Sequence, residues 1–405
     1  MQTLFETSNR LVDAVNLSFS RSLYHKINWK QRLIEIKGAR GVGKTTVMLQ
    51  RAFALREKNQ QSVLYASLDD PYFFNHSIIE TAEMFYKYGG LFLFLDEAHK
   101  YPAKQKQHDW SAELKNVYDR LPELKVVYSG SSVIQLYKGN GDLSRRKSSY
   151  LLNGLSFREY LEYNNIFKFP VLTIQEIISN PVSASRNISK KIKILPHFKS
   201  YLHHGHYPFY NEDPSQYFQK IKNIISVILE VDIPFVADIN YETIGKLKKL
   251  FAVLSSTVPY TPNFSSIGRL LNISDIRTLY KYLILLEKAE LIQMLGTAGN
   301  GNKLLQKPDK IYLNNPDIME AMRTDEIEIG TIRETFFYNQ VRQTNKISYP
   351  RFGDFLVEKK YIFEVGGKNK KQKQIKDMPN SFIVQDDIET GYANILLLWL
   401  FGFLY

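Results

Sequence analysis

The sequence predicts an α/β protein whose first 160 residues form a parallel sheet with helices on both faces, with helical regions and a smaller α/β module behind it. Three observations carry this. Apolar, β-rich segments recur at residues 32–36, 62–67, 91–95 and 125–128 with helical patterns between them. A glycine-rich turn ending in Gly43, Lys44 and Thr45 follows the first segment, and two acids, Asp96 and Glu97, end the third. Strands alternating with helices imply parallel pairing, with the ligand beyond the carboxyl ends of the strands. Both polar motifs fall at such ends.

Size and composition set the frame. A chain of 405 residues with 44% hydrophobic and 23% charged residues suits two or three soluble globular domains. It has no cysteine, which excludes disulfides and thiolate zinc sites. Residues 1–20 show no basic start followed by an apolar run, and the apolar stretch 393–405 is shorter than the roughly 20 residues a membrane helix needs. The expectation is a cytoplasmic protein with no membrane partner, its last stretch a buried strand or helix. The net charge of +12 makes DNA a candidate partner, since basic surfaces neutralise phosphates. A solubilising surface explains it equally well.

The turn Gly38, Ala39, Arg40, Gly41, Val42, Gly43, Lys44, Thr45 fits G-x-x-x-x-G-K-[ST], after a strand and before the helical run 46–57. Glycines let the backbone turn its N–H groups toward phosphates, and the helix N-terminus adds partial positive charge. Lys44 reaches the terminal phosphates, Thr45 offers a hydroxyl to Mg²⁺, and Thr46 completes the phosphate-binding set. This is the Walker A pattern of a P-loop NTPase. Residues 91–95 read as a strand buried on both faces that delivers Asp96 and Glu97, the Walker B pair. Asp96 is expected to hold Mg²⁺ and Glu97 to orient or deprotonate the attacking water. No guanine-reading Asn-Lys-x-Asp motif occurs, so ATP is the expected nucleotide and ADP the product.

Ser129 ends the fourth strand segment, where its hydroxyl is placed to sense the γ-phosphate; Arg145 and Arg146 follow downstream. Further residues in order are Ala98, His99, Lys100, Tyr101 and Pro102, then Trp110, then Leu155 to Tyr160 reading Leu-Ser-Phe-Arg-Glu-Tyr, and finally Leu398, Trp399 and Phe401 near the end. Together with the P-loop they resemble prokaryotic AAA+ family ATPases that carry a C-terminal domain of unknown function, and the resemblance runs over nearly the whole chain. It implies an AAA+ nucleotide domain over 1–160, a winged helix over 241–315 and a PD-(D/E)XK nuclease-like α/β domain over 316–405, and the mostly helical pattern between them reads as a lid or linker over 161–240. It further implies Ser129 as a sensor and Arg146 as an arginine finger to a neighbouring subunit, hence a homo-oligomer or protein partner. Arg145 stands where that family usually has glycine. A surface salt bridge is the competing account of Arg146.

The winged-helix outline rests on amphipathic segments 264–271 and 275–286 followed by a Gly-Asn turn at 299–302. In the C-terminal module, Glu334, Asp354 and Glu364 form a candidate second Mg²⁺ site of nuclease type. The position expected to hold its lysine is Gly366, and the nearest lysine is Lys368. Such a displacement favours a non-cutting module. The basic run Lys368, Lys370, Lys371, Lys373, Lys376 remains as a DNA contact or a solvated face. His203, His204 and His206 cluster without a nearby cysteine or carboxylate in sequence. Three functions follow: an ATPase switch, an ATP-regulated nuclease, or a slow-turnover nucleotide-binding scaffold of signalling or toxin-antitoxin type.

Overall fold

The computed structural model describes residues 1–59, 63–102, 109–132, 143–237, 239–297, 307–323, 328–370, 375 and 378–405. The expected turn at 299–302 and Lys371, Lys373 and Lys376 lie outside the described residues. The chain divides into two compact units, Met1–Asn153 with Phe235–Asp238, and Gly154–Pro234 with Ile239–Tyr405.

The first unit runs α1 (Gln2–Asp13), α2 (Ser22–Lys26), β1 (Leu33–Gly38), α3 (Lys44–Asn59), β2 (Val63–Ser67), α4 (Ile78–Lys87), β3 (Phe92–Asp96), α5 (Trp110–Arg120), β4 (Lys125–Ser131) and β5 (Ser148–Leu151). Its five strands lie in the order β2-β3-β4-β1-β5, and every pairing is parallel. This is the fold of a P-loop NTPase. Leu93, Phe94 and Leu95 are fully buried, as a central strand covered on both faces requires. The edge strand β5 was not anticipated, because Ser148, Ser149, Tyr150 and Leu151 make no apolar run and are only partly covered. Helix starts are marked locally: Ser77 and Glu80 form a capping box on α4, and the Asp109 side chain accepts from Ala112 N–H on α5.

The second unit opens with α6 (Phe157–Tyr163), α7 (Ile174–Ser179), α8 (Pro181–Ser189), α9 (Ile194–His204) and α10 (Tyr217–Val227). The polar, basic stretch 179–193 contains α8, which Pro181 starts from its first turn where a missing N–H does no harm. After α11 (Ile233–Ala237), whose residues from Phe235 on belong to the first unit, come α12 (Tyr241–Thr257), α13 (Phe264–Leu270), α14 (Ile276–Lys288), and the antiparallel pair β6 (Ile292–Leu295) and β7 (Lys310–Leu313). After α15 (Pro316–Met322) and α16 (Ile329–Val341) the chain forms β8 (Ile347–Ser348), β9 (Phe355–Val357), β10 (Tyr361–Gly366), β11 (Ser381–Gln385) and β12 (Ile395–Leu397). These make a mixed sheet in the order β12-β11-β10-β9-β8.

The buried tail belongs to this second core. Leu398–Phe403 forms a 3-10 helix, and Phe403 packs edge-on against Phe157 at 5.8 Å between ring centroids. Ser156 Oγ and Arg158 Nε both donate to the Tyr405 carbonyl, at 2.8 and 2.9 Å. A boundary drawn at residue 160 therefore passes through α6, whose partners lie at the far end of the chain. Among the described residues no helix is long and apolar enough to cross a membrane.

Candidate active site

Strand register brings the polar ends together. β3 and β1 both pair with β4, with Leu95 opposite Tyr128 and Ile36 opposite Ser129, so Asp96, Ser129 and the turn after Gly38 emerge at one sheet edge. The turn itself needs its glycines: Gly41 and Gly43 have φ of 86° and 96°, in the left-handed region that side chains avoid. At Gly38 an added Cβ would fall on the Leu152 carbonyl oxygen.

Asp96 is 2% exposed and gathers four donors. Thr45 Oγ1 donates to Oδ2 at 2.5 Å and Tyr65 Oη donates to the same oxygen at 2.8 Å. Oδ1 accepts from the Ser129 hydroxyl and, at 3.0 Å, from the Glu97 N–H. Burial, and then the Asp96 charge, hold the Tyr65 hydroxyl far above its usual pKa, so it remains a donor. Lys44 is buried, and its ammonium donates to the Gly38 and Ala39 carbonyls at 3.0 Å each.

Glu97 has a left-handed φ of 54° and begins the 3-10 turn Ala98–Lys100. Its Oε2 lies 3.3 Å from Lys100 Nζ, 3.5 Å from His99 Nε2 and 3.8 Å from an Arg40 guanidinium nitrogen. That oxygen is buried and accepts no hydrogen bond. Thr45 and Asp96 offer only oxygen donors side by side, which is the chemistry Mg²⁺ takes.

Three contributors escaped the sequence reading. Tyr65 sits mid-strand in β2, where tyrosine reads only as β-propensity. His99 is legible only as one residue of the run that carries the family resemblance, with no role of its own. Arg21 precedes α2 and is 6% exposed, and its guanidinium donates to the carbonyls of Val42 in the P-loop and Asn153, both at 2.7 Å. Its partners are 21 and 132 residues away, so no local pattern reveals it.

Arg146 makes a two-pronged ion pair with Asp119, Nε to Oδ1 at 3.0 Å and a terminal nitrogen to Oδ2 at 3.1 Å. Two of the three acids of the second unit, Glu334 and Asp354, are brought together beside Lys310, while Glu364 pairs with Lys370. Among the described residues no group of three histidines or carboxylates is arranged to hold an ion. Lys310 Nζ lies 3.2 Å from Glu334 and 3.9 Å from Asp354, and Lys370 Nζ lies 3.2 Å from Glu364. Lys370, not Lys368, is therefore the lysine against Glu364. Burial, and then the Asp354 charge, raise the Glu334 pKa. Of the three histidines, His203 pairs with Glu320 at 3.2 Å, His204 stacks on Tyr210, and the His206 ring covers Gly154.

Comparison with known proteins agrees with the first unit's geometry. Residues 30–161 match the family described as an AAA domain, and residues 195–327 match a domain of unknown function, DUF8612. The chain is similar to the uncharacterized protein MJ1637 of Methanocaldococcus jannaschii, at 28% identity over 93% of this chain and 85% of that one. Among solved structures it is similar to the Walker-type ATPase PABY2304 of Pyrococcus abyssi, with a TM-score of 0.44 and 15% identity over 77% of this chain and 99% of that one. It is also similar to AMPPCP-bound DnaA from Aquifex aeolicus, with a TM-score of 0.26 and 17% identity over 71% and 87%. Residues 30–161 thus match an AAA domain and carry the five-stranded parallel sheet of a P-loop NTPase fold.

Proposed function

We propose that this protein hydrolyses ATP to ADP and phosphate, and that nucleotide turnover in the first unit acts as a switch on the second. One observation carries the reading: Asp96, at the end of β3, holds the hydroxyl of the P-loop Thr45 at 2.5 Å, beside Ser129 and next to Glu97.

Backbone N–H groups of residues 38–45 and the N-terminus of α3 bind the phosphates. Lys44 exchanges its two carbonyl acceptors for phosphate oxygens when nucleotide enters. Thr45 and Asp96 hold Mg²⁺, which when bound neutralises charge building on the phosphates. Glu97 holds a water through its carboxylate and takes its proton as the water oxygen bonds to the γ-phosphorus and the bridging oxygen leaves with ADP. Ser129 fixes the Asp96 carboxylate and lies where a γ-phosphate is sensed. Arg146, released from Asp119, is the group available to a neighbouring copy's nucleotide.

For the second unit, a winged helix over α12 to β7 followed by a nuclease-like module is the reading we favour, with DNA as the partner to test. What supports it is the helix–turn–helix run α13–α14 ahead of the β6–β7 pair, and the mixed sheet behind α16. With glycine at 366 where such a site places its lysine, and no group of three carboxylates arranged to hold an ion among the described residues, we read the module as a binding rather than a cutting one.

The test is ATP turnover and nucleotide affinity of wild type, Lys44→Ala and Glu97→Gln, with and without duplex DNA, while DNA integrity is followed in Mg²⁺. Lys44→Ala should lose binding. Glu97→Gln should keep binding and lose about 100-fold or more in kcat. Unchanged turnover in Glu97→Gln rejects Glu97 as the base, and Mg²⁺-dependent cutting abolished by Asp354→Ala rejects the non-cutting reading.

A further inference from the structure

We propose that His99 is a positioning residue for hydrolysis, holding the Glu97 carboxylate in register with the end of β4. The inference rests on the assignment of Glu97 as the group that activates water.

His99 is 2% exposed and lies two residues past Glu97. On one side the Ser131 N–H, at the last residue of β4, donates to its Nδ1 at 3.4 Å. On the other side its Nε2 lies 3.5 Å from Glu97 Oε2. A neutral imidazole that accepts at Nδ1 carries its proton on Nε2. The tautomer set by Ser131 therefore turns an N–H toward the Glu97 carboxylate.

Two cations approach the same oxygen, but neither is fixed in this way. Lys100 is 29% exposed and also pairs with Asp69 at 3.3 Å, whereas Arg40 is 25% exposed and 3.8 Å away. Long, partly solvated side chains lose rotamer freedom to hold one geometry and are screened. The imidazole is short, packed and oriented from behind.

β4 thus holds Glu97 at two points. Ser129 Oγ accepts the Glu97 backbone N–H at 3.4 Å, and Ser131 reaches the Glu97 side chain through His99. The strand that carries the γ-phosphate sensor is also the strand that aims the base, so a shift at the end of β4 moves both.

The experiment measures kcat, KM and the affinity for a nonhydrolysable ATP analogue in wild type, Glu97→Gln, His99→Leu, His99→Gln and the double variant Glu97→Gln/His99→Leu, with thermal melting of each. Gln supplies an acceptor oxygen for Ser131 and an N–H for Glu97, while Leu supplies volume alone. His99→Leu should lower kcat about 10- to 100-fold with analogue affinity within about twofold of wild type, as expected for a misplaced base. His99→Gln should recover kcat to within about threefold, and the double variant should be no slower than Glu97→Gln alone. If Glu97→Gln is inactive while His99→Leu folds and turns over like wild type, the positioning role alone is rejected. If His99→Leu does not fold, a His99→Gln protein that melts like wild type yet turns over as slowly as Glu97→Gln rejects it as well. Should Glu97→Gln itself turn over normally, the assignment of the base fails, and the inference with it.

Discussion

Tyr65 Oη and Asp96 Oδ2 lie 2.8 Å apart, on the same carboxylate oxygen that accepts the P-loop hydroxyl of Thr45. Removing the Tyr65 hydroxyl takes one of four donors from Asp96 and leaves the carboxylate freer to rotate away from Thr45. Tyr65→Phe is expected to raise the half-saturating Mg²⁺ concentration for turnover by about three- to tenfold, with roughly 1 kcal/mol of stability lost. Mg²⁺ titration of ATPase rate, with chemical denaturation alongside, checks both.

Gly38 is where β1 becomes the P-loop, and its missing side chain lets the Leu152 carbonyl approach. That carbonyl belongs to backbone tied to the strand, since Leu152 N–H donates to the Lys37 carbonyl at 2.8 Å, so it cannot yield easily. Gly38→Ala should destabilise the first unit by about 2 kcal/mol or more and weaken nucleotide binding by at least about tenfold. Calorimetric binding of ADP to a Gly38→Ala protein with wild-type affinity would show the contact to be slack.

Arg21 closes the P-loop from behind through the Val42 carbonyl, and its charge is buried. Arg21→Ala removes charge-assisted hydrogen bonds and leaves two carbonyls without this donor, a loss of roughly 2–4 kcal/mol. Arg21→Lys keeps the charge but lacks the fork that serves Val42 and Asn153 together, and should fall between the two. A melting series of the three proteins with and without ADP tests the order, and a larger ligand-induced shift is expected in wild type than in either variant.

What the sequence disclosed of this architecture was whatever is written locally. Gly41, Gly43, Lys44 and Thr45 sit within one turn, and Leu93 to Asp96 within one strand, so the P-loop, the buried strand and its acid were all readable. β5 was hidden because an edge strand needs no apolar run. Arg21, Tyr65 and His99 were hidden because their roles come from strand register and chain crossings, which place Val42, Asp96 and Ser131 beside them. In the second unit the positions of Glu334, Asp354 and Glu364 suggested a metal site, but Lys310 and Lys370 enter from other elements, and their approach could not be read from spacing.

Asp317 gives the second unit a pH signature of definite sign. It is fully buried at the start of α15, accepting from the Tyr217 hydroxyl and, at 2.9 Å, from the His206 N–H. Burial outweighs these hydrogen bonds and pushes its carboxyl up to about 7. The native state therefore keeps a proton that the unfolded chain, titrating near 3.8, has already released. Stability from this group is complete at low pH and declines as pH rises from about 4 to 7. His203, held above its usual pKa by Glu320, contributes with the same sign, so wild type alone does not isolate Asp317. Asp317→Asn keeps a hydrogen-bond acceptor and cannot ionise. The melting temperature of Asp317→Asn minus that of wild type should increase between pH 5 and about pH 7, by several degrees in total, and level off by pH 8. A difference that stays flat across that range would mean the carboxylate ionises as readily in the folded protein as in the unfolded chain.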